Sequence, residues 1–237
     1  MYNHRMMAKT LQIRLCTSCG LRYPLAEGHA FGTRCPICMG DSRLILSREL
    51  IVEATPNRAD SFDHAKADKR KELGKPNEKQ NLPGRSKQFA VLLDNIRSAW
   101  NVGSILRSAD GFAFTHAYLC GITPTPDHEA VAKTSLGAEE SVTWSYHKDA
   151  VKLVNGLKKA GWQIWAMEED ARAQSIEAVS NPIPSQPAVL ILGNEISGVD
   201  PGLLEVCDEI FYIPMRGEKK SFNVAMAFSV AAYQLQK

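Results

Sequence analysis

Four of the six cysteines stand as two pairs, Cys16-Thr17-Ser18-Cys19 and Cys35-Pro36-Ile37-Cys38, with fifteen residues between them. Each Cys-x-x-Cys knuckle brings two sulfurs within reach of one ion. Two knuckles at this spacing make a tetrahedral four-thiolate zinc site. Four thiolates leave no open coordination position, so such a zinc is structural and supplies folding energy to a module with little core. Two disulfides are the competing reading, and a reducing compartment argues against them. A second constellation lies near the other end of the chain. Gly193-Asn194-Glu195 follows the apolar run Ala188 to Leu192, and Ser221-Phe222-Asn223 follows the run Glu209 to Ile213. One carboxylate and two small polar side chains at successive strand ends suit a pocket with backbone walls. A third group, Asn101, Gly103 and Arg107, shares one short segment. A cation beside a backbone left open by glycine fits a phosphate or a ribose. A surface ion pair fits Arg107 as well by spacing alone.

The elements that must hold these residues follow from the pattern. Phe89 to Leu93, His116 to Cys120, Ser141 to Tyr146, Trp162 to Ala166, Ala188 to Leu192 and Glu209 to Ile213 read as strands. The unbroken apolar runs among them, bounded by Gly, Pro or polar residues, read as buried strands of a parallel sheet. Helical spacing recurs from Asn101, taken as the N-cap, through Ala113, and again over Glu129 to Leu136 and Asp149 to Ala160. Asp170 to Val179 reads as a weak helix. Asp200-Pro201 opens a short helix, and Ser221 is placed to cap the last one. Strands alternating with helices make an α/β domain with a mostly parallel sheet. Trp144, Trp162 and Trp165 read as core or edge residues, and Cys120 and Cys207 as buried, unreactive thiols.

Charge divides the chain. Residues 1–88 carry 16 Lys+Arg against 9 Asp+Glu, a net of +7, whereas residues 89–237 carry 12 against 17, a net of −5. A basic front on an acidic body fits a module that binds a polyanion such as nucleic acid, or a solvated charged linker. The segment 55–87 is poor in large apolar residues and holds the breakers Pro76 and Pro83-Gly84. It reads as a linker with at most a charged helix over Asp60 to Leu73. The expected organisation is therefore a zinc-ribbon-like module over 1–54, a linker over 55–87 and an α/β domain over 88–237. No apolar run reaches the ~18 residues of a membrane span, and no apolar leader precedes a cleavage site, so the expected location is cytoplasmic. Arg216, Lys219 and Lys220, on the loop before Ser221, suit an anionic substrate or a solvated loop equally.

Three segments taken in order resemble the three motifs of the SpoU (TrmH-like) RNA methyltransferases of the SPOUT superfamily. They are Asn101-Val102-Gly103 with Arg107, Leu192-Gly193-Asn194-Glu195 with Gly198, and Ile213-Pro214-Met215 with Ser221-Phe222-Asn223-Val224-Ala225. Lys133-Thr134-Ser135-Leu136-Gly137-Ala138 is similar to the family's intermediate segment. The likeness covers about residues 88–237 and leaves the cysteine module outside. Phe222 stands where many relatives have Leu.

The resemblance implies a C-terminal trefoil knot, an obligate homodimer, and transfer of a methyl group from S-adenosylmethionine to a ribose 2′-hydroxyl of tRNA or rRNA. It carries cofactor binding to Leu192, Gly193, Ile213, Met215 and Phe222. It carries catalytic roles to Asn101, Arg107, Glu195, Ser221 and Asn223. In this picture Gly193 lets a backbone approach the ligand without a Cβ in the way, and Glu195 positions Arg107 or a neighbouring loop. Arginine stays protonated, so Arg107 fits a group that binds the ribose oxygen or adjoining phosphate better than a general base. The alternative is an RNA-binding or assembly protein on the same scaffold without transfer.

Overall fold

The structure, a computed structural model, describes residues 6–29, 31–53, 88–179 and 186–236. The expected linker over 55–87, with its charged helix, lies outside the described residues. The chain divides into two units, Met1–Lys71 and Glu72–Lys237.

In the first unit, β1 (Met6–Cys16), β2 (Arg22–Ala26) and β3 (Ser42–Glu53) form an antiparallel sheet in the order β2-β1-β3. The first cysteine knuckle is the turn from β1 into β2. The second lies just before β3. Leu11, Ile13, Leu21, Tyr23 and Leu25 are buried, and the Tyr23 hydroxyl donates to Ser42 Oγ at 2.9 Å. Among the described residues this is a small set of buried apolar side chains, and a module of that kind gains stability from a further cross-link.

The second unit runs β4 (Phe89–Asp94), α1 (Ala99–Gly111), β5 (His116–Cys120), α2 (Glu129–Ser135), α3 (Ala138–Ser141), β6 (Thr143–His147), α4 (Ala150–Lys159), β7 (Gln163–Met167), β8 (Gln174–Ser175), β9 (Ala188–Leu192), α5 (Pro201–Leu204), β10 (Glu209–Tyr212) and α6 (Val224–Leu235). The strands form one sheet in the order β6-β5-β4-β9-β7-β10-β8. Every neighbouring pair is parallel. The central runs Phe89–Asp94 and Ala188–Leu192 are buried at every position, as strands covered on both faces must be. Val91, Leu93, Leu190 and Leu192 meet Ile105, Leu106 and Phe228 on one face. Ala90, Leu92, Val189 and Ile191 meet Val154, Leu203 and Leu204 on the other. The result is a three-layer α/β domain, as the alternation of elements requires.

Five sequence expectations change. Helix α1 is capped by Ser98, whose side chain accepts from Asn101 N, so Asn101 lies one turn inside. The last helix is capped by Asn223, not Ser221, through a bond from Ala225 N at 2.9 Å. Residues 170–179 are not a helix; they form the two-residue strand β8 and a single 3₁₀ turn, Ile176–Ala178. Gly103 is glycine because α2 lies against it: a Cβ there would stand 2.5 Å from Val131 O and 2.9 Å from Ser135 N. Its open backbone therefore serves helix packing rather than a phosphate. Cys207 is half-buried, and burial pushes its thiol up to about 12, which keeps it unreactive.

Candidate active site

The chain crosses back over the sheet to insert β9 between β4 and β7, with β10 beyond β7. Three neighbouring strands, β9, β7 and β10, thus point their C-terminal ends the same way. Their loops wall a cavity of about 390 Å³, the size of a small-molecule site. The loop after β9 contributes Leu192, Gly193, Glu195 and Gly198. The loop after β10 contributes Ile213, Met215, Lys220, Ser221, Phe222 and Asn223. All five residues assigned to the cofactor by resemblance therefore border one space, with Glu195, Ser221 and Asn223.

The third wall was not legible in the motifs. Met167, Glu168 and Glu169 follow β7 and line the same cavity. The available signal was Glu168-Glu169-Asp170 directly after an apolar strand. Only the strand order, however, places that end beside the other two.

The loop after β9 is held by its own backbone. Asn194 and Gly198 exchange both backbone hydrogen bonds, at 3.1 and 2.9 Å. The buried Asn194 side chain accepts from Ile196 N and Ser197 N and donates to Asn95 O at 2.6 Å. Gly198 and Val199 consequently cross directly over Gly193. A Cβ on Gly193 would collide with Gly198 C and Val199 N and lie 2.6 Å from Gly198 O. Glycine is needed here for the chain's approach to itself, not for a ligand's approach.

Glu195 reaches from this loop to the start of α1. Its carboxylate accepts from Arg97 N (2.9 Å), Ser98 N (3.2 Å) and Asn101 Nδ2 (2.9 Å). A carboxylate at a helix N-terminus satisfies free backbone donors and complements the helix dipole. Asn223 Nδ2 then donates to Asn101 Oδ1 at 3.1 Å. Glu195, Asn101 and Asn223, far apart in sequence, form one continuous network at the rim of the cavity. Glu195 positions the loop before α1 and Asn101, rather than Arg107. Ser221 and Phe222 are exposed on the same rim. Arg107 is exposed and is not among the cavity-lining residues. It lies six residues beyond Asn101, roughly 9 Å along the helix and on a different side of it.

In the first unit the four cysteine sulfurs lie within 4.8 Å of one another. Cys16 Sγ and Cys38 Sγ are 3.5 Å apart, and Cys19 Sγ and Cys35 Sγ 3.7 Å. Disulfides need about 2.05 Å. A tetrahedron of ~2.3 Å zinc–sulfur bonds has edges of about 3.8 Å, which these thiols fit.

Comparison with known proteins agrees with this geometry. Residues 88–233 match the family model described as the SpoU rRNA Methylase family. The chain is 27% identical over 167 residues to the tRNA (guanosine(18)-2′-O)-methyltransferase of Aquifex aeolicus, covering 66% of this chain and 72% of that one. It is 28% identical over 148 residues to the 23S rRNA (guanosine(2553)-2′-O)-methyltransferase of Bacillus subtilis, covering 62% of this chain and 57% of the relative. The fold matches the SpoU methyltransferase AviRb from Streptomyces viridochromogenes, solved in complex with AdoMet. The TM-score is 0.58 at 23% identity, over 65% of this chain and 61% of AviRb. With a family model spanning more than half its length, and the second and third motif loops gathered at one cavity with Asn101 of the first bonded to them through Glu195 and Asn223, the chain belongs to the SpoU methylase family.

Proposed function

We propose that this protein transfers a methyl group from S-adenosylmethionine to a ribose 2′-hydroxyl of tRNA or rRNA. The observation that carries the reading is the convergence of the loops after β7, β9 and β10 on one cavity, with the bonded Glu195–Asn101–Asn223 set at its rim. The sulfonium supplies an already activated methyl, so the protein's task is alignment and proton removal. Leu192, Ile213 and Met215 offer an apolar wall for the nucleoside, and the exposed Phe222 ring can close over it. Asn101 and Asn223 each fix the other's amide, and Ser221 beside them is free to meet the ribose. The exposed guanidinium of Arg107 would hold the ribose oxygen or the adjoining phosphate and stabilise negative charge as it forms.

The four thiols support a structural zinc in the first unit. The net charge of +7 over residues 1–88 supports RNA as its partner, with binding that weakens as salt rises. A homodimer is supported by an apolar stripe. Met226, Val230 and Tyr233 sit at one helical face of α6 and are 59%, 40% and 59% exposed, with Trp100 on the adjacent α1 at 59%. So much large apolar side chain in water is the mark of an interface. The knotted C-terminal region belongs to the same reading.

Calorimetric titration with S-adenosylmethionine separates this reading from a scaffold that only binds RNA. Saturable one-site binding, weakened at least tenfold by Ile213→Asp, supports the enzyme. An unaltered protein that retains RNA but takes up no S-adenosylmethionine would favour the binding protein.

A further inference from the structure

We propose that Glu168 is a positioning residue for the methyl donor, acting through the Gly193–Val199 loop; this rests on the functional reading above. Glu168 follows β7 and lines the cavity. Its Oε2 accepts from Val199 N at 2.7 Å, and its Oε1 accepts from Glu169 N at 3.1 Å. Val199 is the residue where the loop after β9, having crossed Gly193, turns down towards α5. Asn194 closes the loop from within. Glu168 ties its outgoing strand to a different part of the sheet. Without that tie, the crossing segment keeps its exchange with Asn194 and, one residue on, the bond from Asp200 N to Asp94 Oδ2 at 3.3 Å, but loses its link to β7 through Val199.

Gly198 records the same contact. It adopts φ +68°, and a Cβ there would lie 3.0 Å from Glu168 Cδ and 3.3 Å from Oε1, with Oε2 closer still. The carboxylate therefore occupies the space that a side chain at 198 would fill. The loop's left-handed turn and the carboxylate's position are one fitted pair. What matters is an acceptor oxygen at the correct reach, since the bond is to a neutral backbone N–H. Because the cavity's wall is made of this loop, a shift of about 1 Å would misplace the donor, with losses of the order of 100-fold in transfer known for such errors.

The test compares Glu168→Gln, Glu168→Asp and Glu168→Ala in the full chain. Donor affinity is read by calorimetry, kcat and the KM values for donor and RNA by methylation, and folding by thermal melts. Glutamine keeps the reach and loses the charge; aspartate keeps the charge and loses the reach. The expected result is a rise of about 10- to 100-fold in Kd and KM for S-adenosylmethionine in the Asp and Ala variants. The KM for RNA stays within about threefold, kcat at saturating donor falls by up to about 100-fold in the Asp and Ala variants because the bound donor is misplaced, and Gln stays near the unaltered protein. Adding Gly198→Ala to Glu168→Ala should weaken donor binding less than the two single changes combined, because they disturb one contact. Gln as weak as Ala, or Asp as strong as the unaltered protein, would overturn the proposal. So would a proportional fall in donor and RNA affinity, the sign of general damage. Donor binding unchanged in every variant sinks this inference alone; no donor binding in the unaltered protein sinks the function beneath it as well.

Discussion

Replacing Gly193 by alanine adds one methyl group to a chain with no room for it. The new Cβ would lie 2.6 Å from Gly198 O and still closer to Gly198 C and Val199 N, where ordinary contact begins at about 3.4 Å. None of these atoms belongs to a flexible side chain. Relief therefore requires the crossing backbone to move by about 1 Å, against the Asn194–Gly198 exchange and the bond from Val199 N to Glu168. Overpacking of this kind costs about 1–3 kcal/mol, and a backbone neighbour argues for the upper end. A loop displaced by about 1 Å should also reduce methyl transfer roughly 100-fold. Urea melts would give the stability change, calorimetry the donor affinity, and single-turnover methylation the transfer rate. A Gly193→Ala protein within 0.5 kcal/mol (about the noise of a surface change) and with unaltered donor affinity would refute the crossing-chain explanation.

Gly103→Ala places a Cβ against the backbone of α2, so it should lower stability by about 1–3 kcal/mol while leaving donor Kd nearly unchanged, as melts and calorimetry would show. Removing metal with a strong chelator, or Cys35→Ser, should unfold the β1–β3 module and weaken RNA binding; the parallel-sheet domain should keep its melting transition and its donor affinity, read by calorimetry. His116 is pushed down to about 4, first by burial and then by neighbouring His147, whose own value burial also lowers. Its ring bonds Thr143 Oγ1 and Ser145 Oγ at 2.7 and 2.9 Å. The unfolded chain takes up this proton near pH 6.5 and the folded one only near 4. Stability should therefore be full above about 6.5 and fall as pH drops towards 4, by about 2–3 kcal/mol for this group. His116→Gln should flatten that slope in pH-dependent melts.

The elements that sequence could show are those whose physics is local. Ala188 to Leu192 is a strand because five successive apolar residues need cover on both faces. The two Cys-x-x-Cys knuckles declare their shared geometry through spacing alone. Asp149 and Asp200 mark helix starts by the bonds their side chains make to Lys152 N and Gly202 N. What sequence could not show depends on strand order. Nothing in Met167-Glu168-Glu169 says that β7 lies between β9 and β10, so one wall of the cavity stayed hidden. The reason for glycine at 193 and 103 was likewise hidden, since in each case the intruding atoms come from another turn of chain. Asn101 reads as a cap because capping residues look alike in sequence; Ser98 holds that place, and Asn101 joins Glu195 and Asn223. Residues 170–179 carried a weak helical pattern, and pairing of Gln174 and Ser175 with β10 overrode it.

The most direct test is to incubate the protein with labelled S-adenosylmethionine and total tRNA and rRNA, digest the RNA to nucleosides, and locate the label by mass analysis. The expected result is label on a ribose 2′-oxygen at a defined nucleotide, greatly reduced by Asn101→Ala and Arg107→Ala. Label on a base, or none in RNA that the protein demonstrably binds, would contradict it.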